Sequence, residues 1–121
     1  MKKRILIVED EVAIIDLLRL VLEREGYEVH SCVSGRDAIS TMKEVHPHLV
    51  LLDVMLPGLD GASIMRIIHE DEDLASTPVI VTSALRESEH LFTPFPQVKA
   101  FCSKPFALKE LVEKVKHAVG D

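Results

Sequence analysis

The chain alternates short, wholly apolar runs with longer stretches in which apolar residues recur at helical spacing. Ile5-Leu6-Ile7-Val8 is the first run; Ile14, Ile15, Leu18, Val21 and Leu22 follow at helical intervals, closed by Gly26. A few consecutive apolar residues read as a strand covered on both faces, and the second pattern as an amphipathic helix ended by a glycine. Glu28 to Val33 is a weaker strand with polar residues interleaved, expected at a sheet edge. Ser34 is placed to cap a helix carrying Ala38, Ile39, Met42 and Val45, which should end before Pro47. Leu49 to Leu52 is the third strand, and Gly61 to about Glu70 a helix with Ile64, Ile67 and Ile68 inward. Val79 to Val81 and Ala100 to Cys102 are the fourth and fifth strands. Leu108, Leu111, Val112, Val115 and Val119 mark a last helix, whose basic stretch Lys114 to His117 suits the negative end of the helix dipole.

Such alternation predicts an α/β fold: a single doubly wound, five-stranded parallel sheet with right-handed crossovers and helices on both faces. One stretch breaks the pattern. Arg86 to Leu91 has the makings of a helix start, but Pro94 and Pro96 each remove an amide donor. A proline inside a helix costs about 3 kcal/mol, so the fourth helix should be short or irregular. Leu91, Phe92 and Phe95 must then pack down or meet a partner.

The ends of the strands carry the candidate chemistry. Ile5 to Val8 runs into Glu9-Asp10, and Leu49 to Leu52 into Asp53 and the loop Val54-Met55-Leu56-Pro57-Gly58. Val79 to Val81 runs into Thr82-Ser83, and Ala100 to Cys102 into Ser103-Lys104-Pro105. Open parallel sheets place their ligands at this edge. Each residue also has a plainer reading. Asp10 is placed to cap the first helix, Glu9 to be a solvated strand end, and Asp53 to stabilise the Pro57-Gly58 turn. Ser83 is placed to cap the next helix, and Lys104 to be a weakly paired surface charge. Capping alone does not readily put an acid, a hydroxyl or a lysine at four strand ends. Together, Glu9, Asp10, Asp53 and Lys104 leave a negative excess that suits one Mg²⁺, a cation that prefers hard oxygen ligands. A carboxylate beside a metal and a lysine is a candidate nucleophile toward phosphorus, and Ser83 a candidate hydrogen-bond donor to a phosphoryl oxygen.

Composition narrows the function. A chain of 121 residues, 47% of them apolar, fits one domain over residues 1–121. A net charge of −6 disfavours direct nucleic-acid binding, which needs a basic footprint. No apolar stretch reaches the roughly 20 residues of a membrane span. Met1 to Arg4 reads as a solvated lead-in, because the apolar run behind it is too short for a signal-peptide core. Cys32 and Cys102 fall in strands without motif spacing and read as buried, inert thiols in a reducing cytoplasm. His46-Pro47-His48 lacks zinc-type partners, Glu70 to Asp73 reads as a solvated helix end, and no glycine-rich phosphate loop is present.

The chain closely resembles the receiver domain of two-component response regulators, like those of chemotaxis, over nearly its whole length. The matching residues are Glu9-Asp10, Asp53 in Leu-Leu-Asp-Val-Met-Leu-Pro-Gly-Leu-Asp-Gly, Ser83-Ala84, and Lys104-Pro105-Phe106. The resemblance implies a flavodoxin-like strand order 2-1-3-4-5. It implies that Asp53 accepts a phosphoryl group from the phosphohistidine of a sensor histidine kinase or phosphotransfer protein. Glu9, Asp10, Asp53 and the backbone carbonyl of Met55 would bind Mg²⁺. Lys104 would contact the acyl phosphate and Ser83 would be drawn toward it. The Lys104-Pro105 bond would be cis, and Phe101 would be the switch aromatic. The output, a partner or a homodimer, would use the face made by the fourth connection, the fifth strand and the last helix.

Three departures matter. The switch position, often Tyr, is Phe101, which has no hydroxyl to keep wet and so should lean inward even without phosphate. The family's usual Gly-Ala before the fifth strand is replaced by Gln97-Val98-Lys99-Ala100, so a common dimer is not assumed. Met55 and Leu85 flank the expected path of the hydrolytic water and cannot activate it, so a phosphoaspartate should be long-lived. Two other functions compete with the switch. One is a Mg²⁺-dependent phosphohydrolase, argued against by Met55 where a second Asp would serve as general acid. The other is a phosphorylation-independent interaction module, argued against by the complete residue set.

Overall fold

The computed structural model describes residues 2–55, 60–84 and 86–120, and of residues 86–88 the backbone alone. The strands are β1 (Arg4–Val8), β2 (Glu28–Cys32), β3 (Leu49–Asp53), β4 (Val79–Ser83) and β5 (Val98–Ser103). The helices are α1 (Val12–Arg24), α2 (Gly35–Val45), α3 (Gly61–Glu70) and α4 (Leu108–Val119). All strands pair in parallel in the order β2-β1-β3-β4-β5. Between β4 and β5 the expected fourth helix is a 3-10 turn over Arg86–Leu91, so α4 names the last helix.

The apolar runs form strands because the sheet is covered on both faces. Side chains alternate across it, so Ile5, Ile7, Leu49, Leu51 and Ile80 pack with α1 and α4 on one side. Leu6, Val8, Val50, Leu52, Val79 and Val81 pack with α2 and α3 on the other. Burying each such side chain contributes about 1.5–3 kcal/mol. Every residue of β3 is buried, as befits the middle strand. β2 is an edge strand, as its interleaved polar residues predict, but it stops at Cys32, and Val33 is half-exposed.

Local chemistry sets the helix ends. Ser34 caps α2, its hydroxyl accepting from the Asp37 N–H, and Asp60 caps α3 by accepting from the Ser63 N–H at 2.9 Å. Gly26 takes a left-handed φ of 95° just past α1. The α2 terminus also holds a left-handed non-glycine residue, His46. There the Arg4 guanidinium donates to the carbonyls of Val45 at 3.0 Å and His46 at 2.8 Å. Two sequence readings are corrected. The residue before α1 is Glu11, which makes no side-chain cap, so Asp10 is not the cap. In α3, Ile64, Met65 and Ile68 are buried and Ile67 is exposed, because the inward stripe runs through Met65.

The β4–β5 connection packs down despite its prolines. Phe92 is buried, Phe95 is half-buried, and Leu91 remains exposed. Val79 pairs with Val98 but Ile80 pairs with Ala100, which leaves Lys99 as an extra residue, a β-bulge. The bulge lets Val98 and Phe101, three residues apart, pack against the same core cluster. Cys32 is half-buried rather than buried, and burial pushes its thiol up to about 11; buried Cys102 is raised for the same reason. Both thiols are free.

Gly61 opens α3 against the chain leaving β3. A Cβ there would lie 2.9 Å from Val54 Cα, a backbone atom that cannot step aside cheaply. Gly61→Ala should lower stability by about 1–3 kcal/mol in urea denaturation, with amide shifts concentrated around Val54 and Asp53. A pH effect follows from His48, whose Nδ1 accepts from the Arg4 N–H at 2.9 Å and must therefore be unprotonated. Burial, with the Arg4 and Lys3 charges, lowers its pKa. The stability this gives is present above the unfolded pKa and is lost as pH falls through the folded one. The urea midpoint should drop more in wild type than in His48→Asn between about pH 7.5 and about pH 5.5, a window around the ordinary histidine pKa.

Candidate functional site

Parallel pairing brings the carboxyl ends of β1, β3, β4 and β5 to one edge of the sheet. Glu9 follows β1, Asp53 ends β3, Ser83 ends β4 and Lys104 follows β5. Glu9 is 2% exposed, Asp53 4% and Ser83 fully buried. The Lys104 ammonium donates to Glu9 Oε1 at 2.7 Å and to Asp53 Oδ2 at 3.2 Å, tying together residues far apart in the chain. The readings of Glu9 as a solvated strand end and Lys104 as a loosely paired surface charge are therefore corrected. The sheet leaves neither enough contact with water.

Each carboxylate is also held from behind. The Glu11 N–H donates to Glu9 Oε2 at 3.1 Å, and the Met55 N–H to Asp53 Oδ1 at 3.1 Å. Lys104 is positioned through its backbone, its N–H donating to the Ser83 carbonyl at 2.8 Å, and the Lys104-Pro105 peptide is cis. Asp10 is exposed, yet it offers an oxygen within 4.8 Å of oxygens on Glu9 and Asp53. Met55 is 58% exposed beside the site. The Pro57-Gly58 turn, Leu56 and Leu85 lie outside the described residues.

Electrostatics give this geometry its direction. Burial raises the pKa of Glu9, opposed by its bonds to Lys104 and the Glu11 amide and reinforced by the Asp53 charge. Burial would lower the pKa of Lys104, but its bond to Glu9 and the charge of Asp53 outweigh it, so its pKa is raised and it stays an ammonium. Three carboxylates thus face one cation. The remaining negative charge and the all-oxygen donor set fit a hard divalent cation.

Two features escaped the sequence reading. Thr82 is buried, with its hydroxyl 3.5 Å from the Leu52 carbonyl. Gln97 is buried before β5 and bonds to His69 on α3. The Thr82 contact follows from strand pairing and the Gln97 contact from chain reversal, and neither leaves a spacing signal.

The fold and this strand-edge cluster define a flavodoxin-like α/β domain with an acidic site at the ends of its strands. A family model for the response regulator receiver domain matches residues 5–116, and the chain belongs to that family. A putative response regulator from Chloroflexus aurantiacus is similar over the whole of both chains, at 26% identity and a TM-score of 0.92. The receiver domain of a Pseudomonas aeruginosa sensor histidine kinase, described with a magnesium ion coordinated in its active-site cleft, is similar over the whole of both chains. Its identity is 26% and its TM-score 0.88. The signal receiver domain of a histidine kinase from Syntrophus aciditrophicus shares 28% identity at a TM-score of 0.86, over 98% of this chain and 90% of that one. Receiver domains are signalling domains of two-component systems rather than metabolic enzymes, and phosphorylation and Mg²⁺ are general features of the family.

Removing the Lys104 charge would leave Glu9 and Asp53 buried without their cation. Lys104→Met should destabilise the fold near neutral pH by about 1–3 kcal/mol. Glu9, with its raised pKa, binds a proton more readily folded than unfolded, so acid favours the fold at this position. The deficit of Lys104→Met relative to wild type should therefore shrink as pH falls toward about 4.5, near the ordinary glutamate range. Paired urea titrations across pH would measure it.

Proposed function

We propose that residues 1–121 form one receiver domain that works as a phosphorylation-dependent switch with Asp53 as phosphoacceptor. The observation that carries this reading is the Lys104 ammonium lodged between Glu9 and Asp53 at the strand edge, with Asp10 open to solvent beside it. An Asp53 carboxylate oxygen attacks the phosphorus of a phosphohistidine on a sensor histidine kinase or phosphotransfer protein. The O–P bond forms as the N–P bond breaks, and the imidazole nitrogen keeps the electron pair and takes up a proton. Held by Glu9, Asp10, Asp53 and the Met55 carbonyl, Mg²⁺ would supply positive charge against the transferring phosphoryl oxygens.

Lys104 stays protonated and pairs with the new phosphoryl charge. Ser83 gives its hydroxyl to a phosphoryl oxygen, and Phe101 follows into the space this opens. Phe101 is half-buried against the α3-side cluster, which supports an inward lean before any phosphate arrives. The state of Phe101 then sets the affinity of the face made by residues 86–91, β5 and α4 for an output partner or a second copy. The 3-10 turn in place of a helix argues against a dimer of the common form.

The domain catalyses its own phosphorylation and slow dephosphorylation, in the cytoplasm, without contacting nucleic acid or membrane. Among the described residues no helix is long and apolar enough to cross a membrane. The phosphohydrolase reading is disfavoured because Met55 stands where a general acid would be needed.

Acetyl phosphate with Mg²⁺ should add one phosphoryl group to the wild type by intact mass, and none to Asp53→Asn. No gain in a folded wild type that still binds Mg²⁺ would favour the phosphorylation-independent module. The phosphoprotein, freed of donor, should persist for minutes or more, because Met55 cannot orient water. Decay within seconds would refute that assignment. NMR rotamer populations of Phe101 should be more inward than those of Phe101→Tyr.

A further inference from the structure

Gln97 and the Lys99 bulge take no part in the phosphoryl chemistry. Their structure is specific. Gln97 is 6% exposed. Its Nε2 donates to the Ala75 carbonyl at 2.8 Å, and the same amide meets His69 Nδ1, with Nε2 at 3.0 Å and Oε1 at 3.3 Å, the His69 tautomer setting which of the two bonds. The Gln97 backbone carbonyl accepts from the Val79 N–H at 2.8 Å. Phe95 sets its ring edge-on to His69, with centroids 5.7 Å apart. At the other end of α3, Phe92 lies beneath Gly61, where an added Cβ would meet its ring at 3.5 Å. Residues 92–97 are thus fastened to α3 at its first residue and its last turn. Directly after comes the Lys99 bulge, and beyond it β5 resumes regular pairing with β4 through Ser103.

We propose that Gln97 is a positioning residue whose clasp on His69 and Ala75 anchors the entry to β5. The Lys99 bulge then acts as a joint that keeps backbone movement at Phe101 and Lys104 from passing along the ladder to residues 92–98. A paired strand transmits displacement along its ladder. A bulge breaks the ladder, and the residue it leaves unpaired absorbs a shift. The clasp gives that joint a fixed side. Movement at the phosphorylation site is thereby directed toward residues 86–91 and the outer half of β5, where a partner can read it. This second consequence rests on the switch reading; the anchor does not.

Two variants separate the parts. Gln97→Met keeps length and loses the amide. His69→Phe keeps an aromatic ring for Phe95 to pack against and loses the ring nitrogen that meets the Gln97 amide. In unmodified protein, native-state hydrogen exchange by NMR should show the Val79 and Val98 amides of both variants exchanging about tenfold faster, the effect of losing an ordinary hydrogen bond. The Lys104 amide, on the far side of the bulge, should stay within about twofold of wild type, well below the effect of one such bond. Equal acceleration of all three amides, or no acceleration of Val98, would overturn the anchor and leave Gln97 a merely stabilising residue.

The second arm uses acetyl phosphate and Mg²⁺. Phosphorylation-induced amide shifts should stop at Lys99 in wild type and extend into residues 92–98 in both variants. Shifts that already cross Lys99 in wild type would overturn the joint. A wild type that takes up no phosphoryl group would count against the switch and against the joint's role in it, while the exchange arm still decides the anchor.

Discussion

Buried carboxylates are costly unless a cation stands beside them, and this domain meets that constraint with one lysine. Glu9 and Asp53 are almost wholly removed from water, and the Lys104 ammonium reaches both. The arrangement works only if β1, β3 and β5 lie at the right separations in the sheet and in the right register. Lys104 is brought to its place by a backbone bond to Ser83 at the end of β4. The neighbouring strands β1, β3, β4 and β5 therefore each contribute to one cluster, and the cluster in turn rewards that strand order. β2, the edge strand on the other side of β1, contributes nothing charged to it.

The same cluster is incompletely neutralised by the side chains around it. Asp10 adds a third carboxylate on the solvent side, so the site holds more negative charge than Lys104 can offset. A site balanced by its own side chains would be a structural ion pair. One left anionic, open and lined with oxygen suits a hard divalent cation. Membership of the receiver family gives this imbalance its setting. Asp53 sits at the centre, with its Oδ1 fixed by the Met55 amide and its Oδ2 by Lys104.

The β4–β5 connection shows how a chain without a fourth α-helix still closes its core. Pro94 and Pro96 prevent a continuous helix, and the chain turns through a 3-10 segment instead. Phe92 fills the core position, and Gln97 replaces helix packing with side-chain hydrogen bonds to α3 and the loop behind it. The resulting surface is shaped by a turn and an edge strand, and it carries Leu91 exposed beside them.

Strand and helix positions were legible in the chain because local periodicity reports directly on which faces are covered. Gly61 to Glu70 and Leu49 onward fall where the pattern puts them, and the irregular fourth helix follows from two prolines. The candidate site was legible as a set, since strand ends in a parallel sheet necessarily share an edge. What needed the tertiary structure was everything decided by distance rather than by neighbours. Asp10 reads locally as a helix cap, yet the chain places Glu11 there and turns Asp10 toward the acidic cluster. Glu9 reads as a solvated strand end, yet it is buried because Lys104, distant in sequence, covers and neutralises it. The Lys99 bulge and the Gln97 clasp arise where two strands and a helix meet, and no periodicity within one segment encodes that meeting. Local patterns determine which elements form, because backbone hydrogen bonding and burial act over a few residues. The pairing of charges and the aim of individual side chains were settled only when the sheet brought distant residues together.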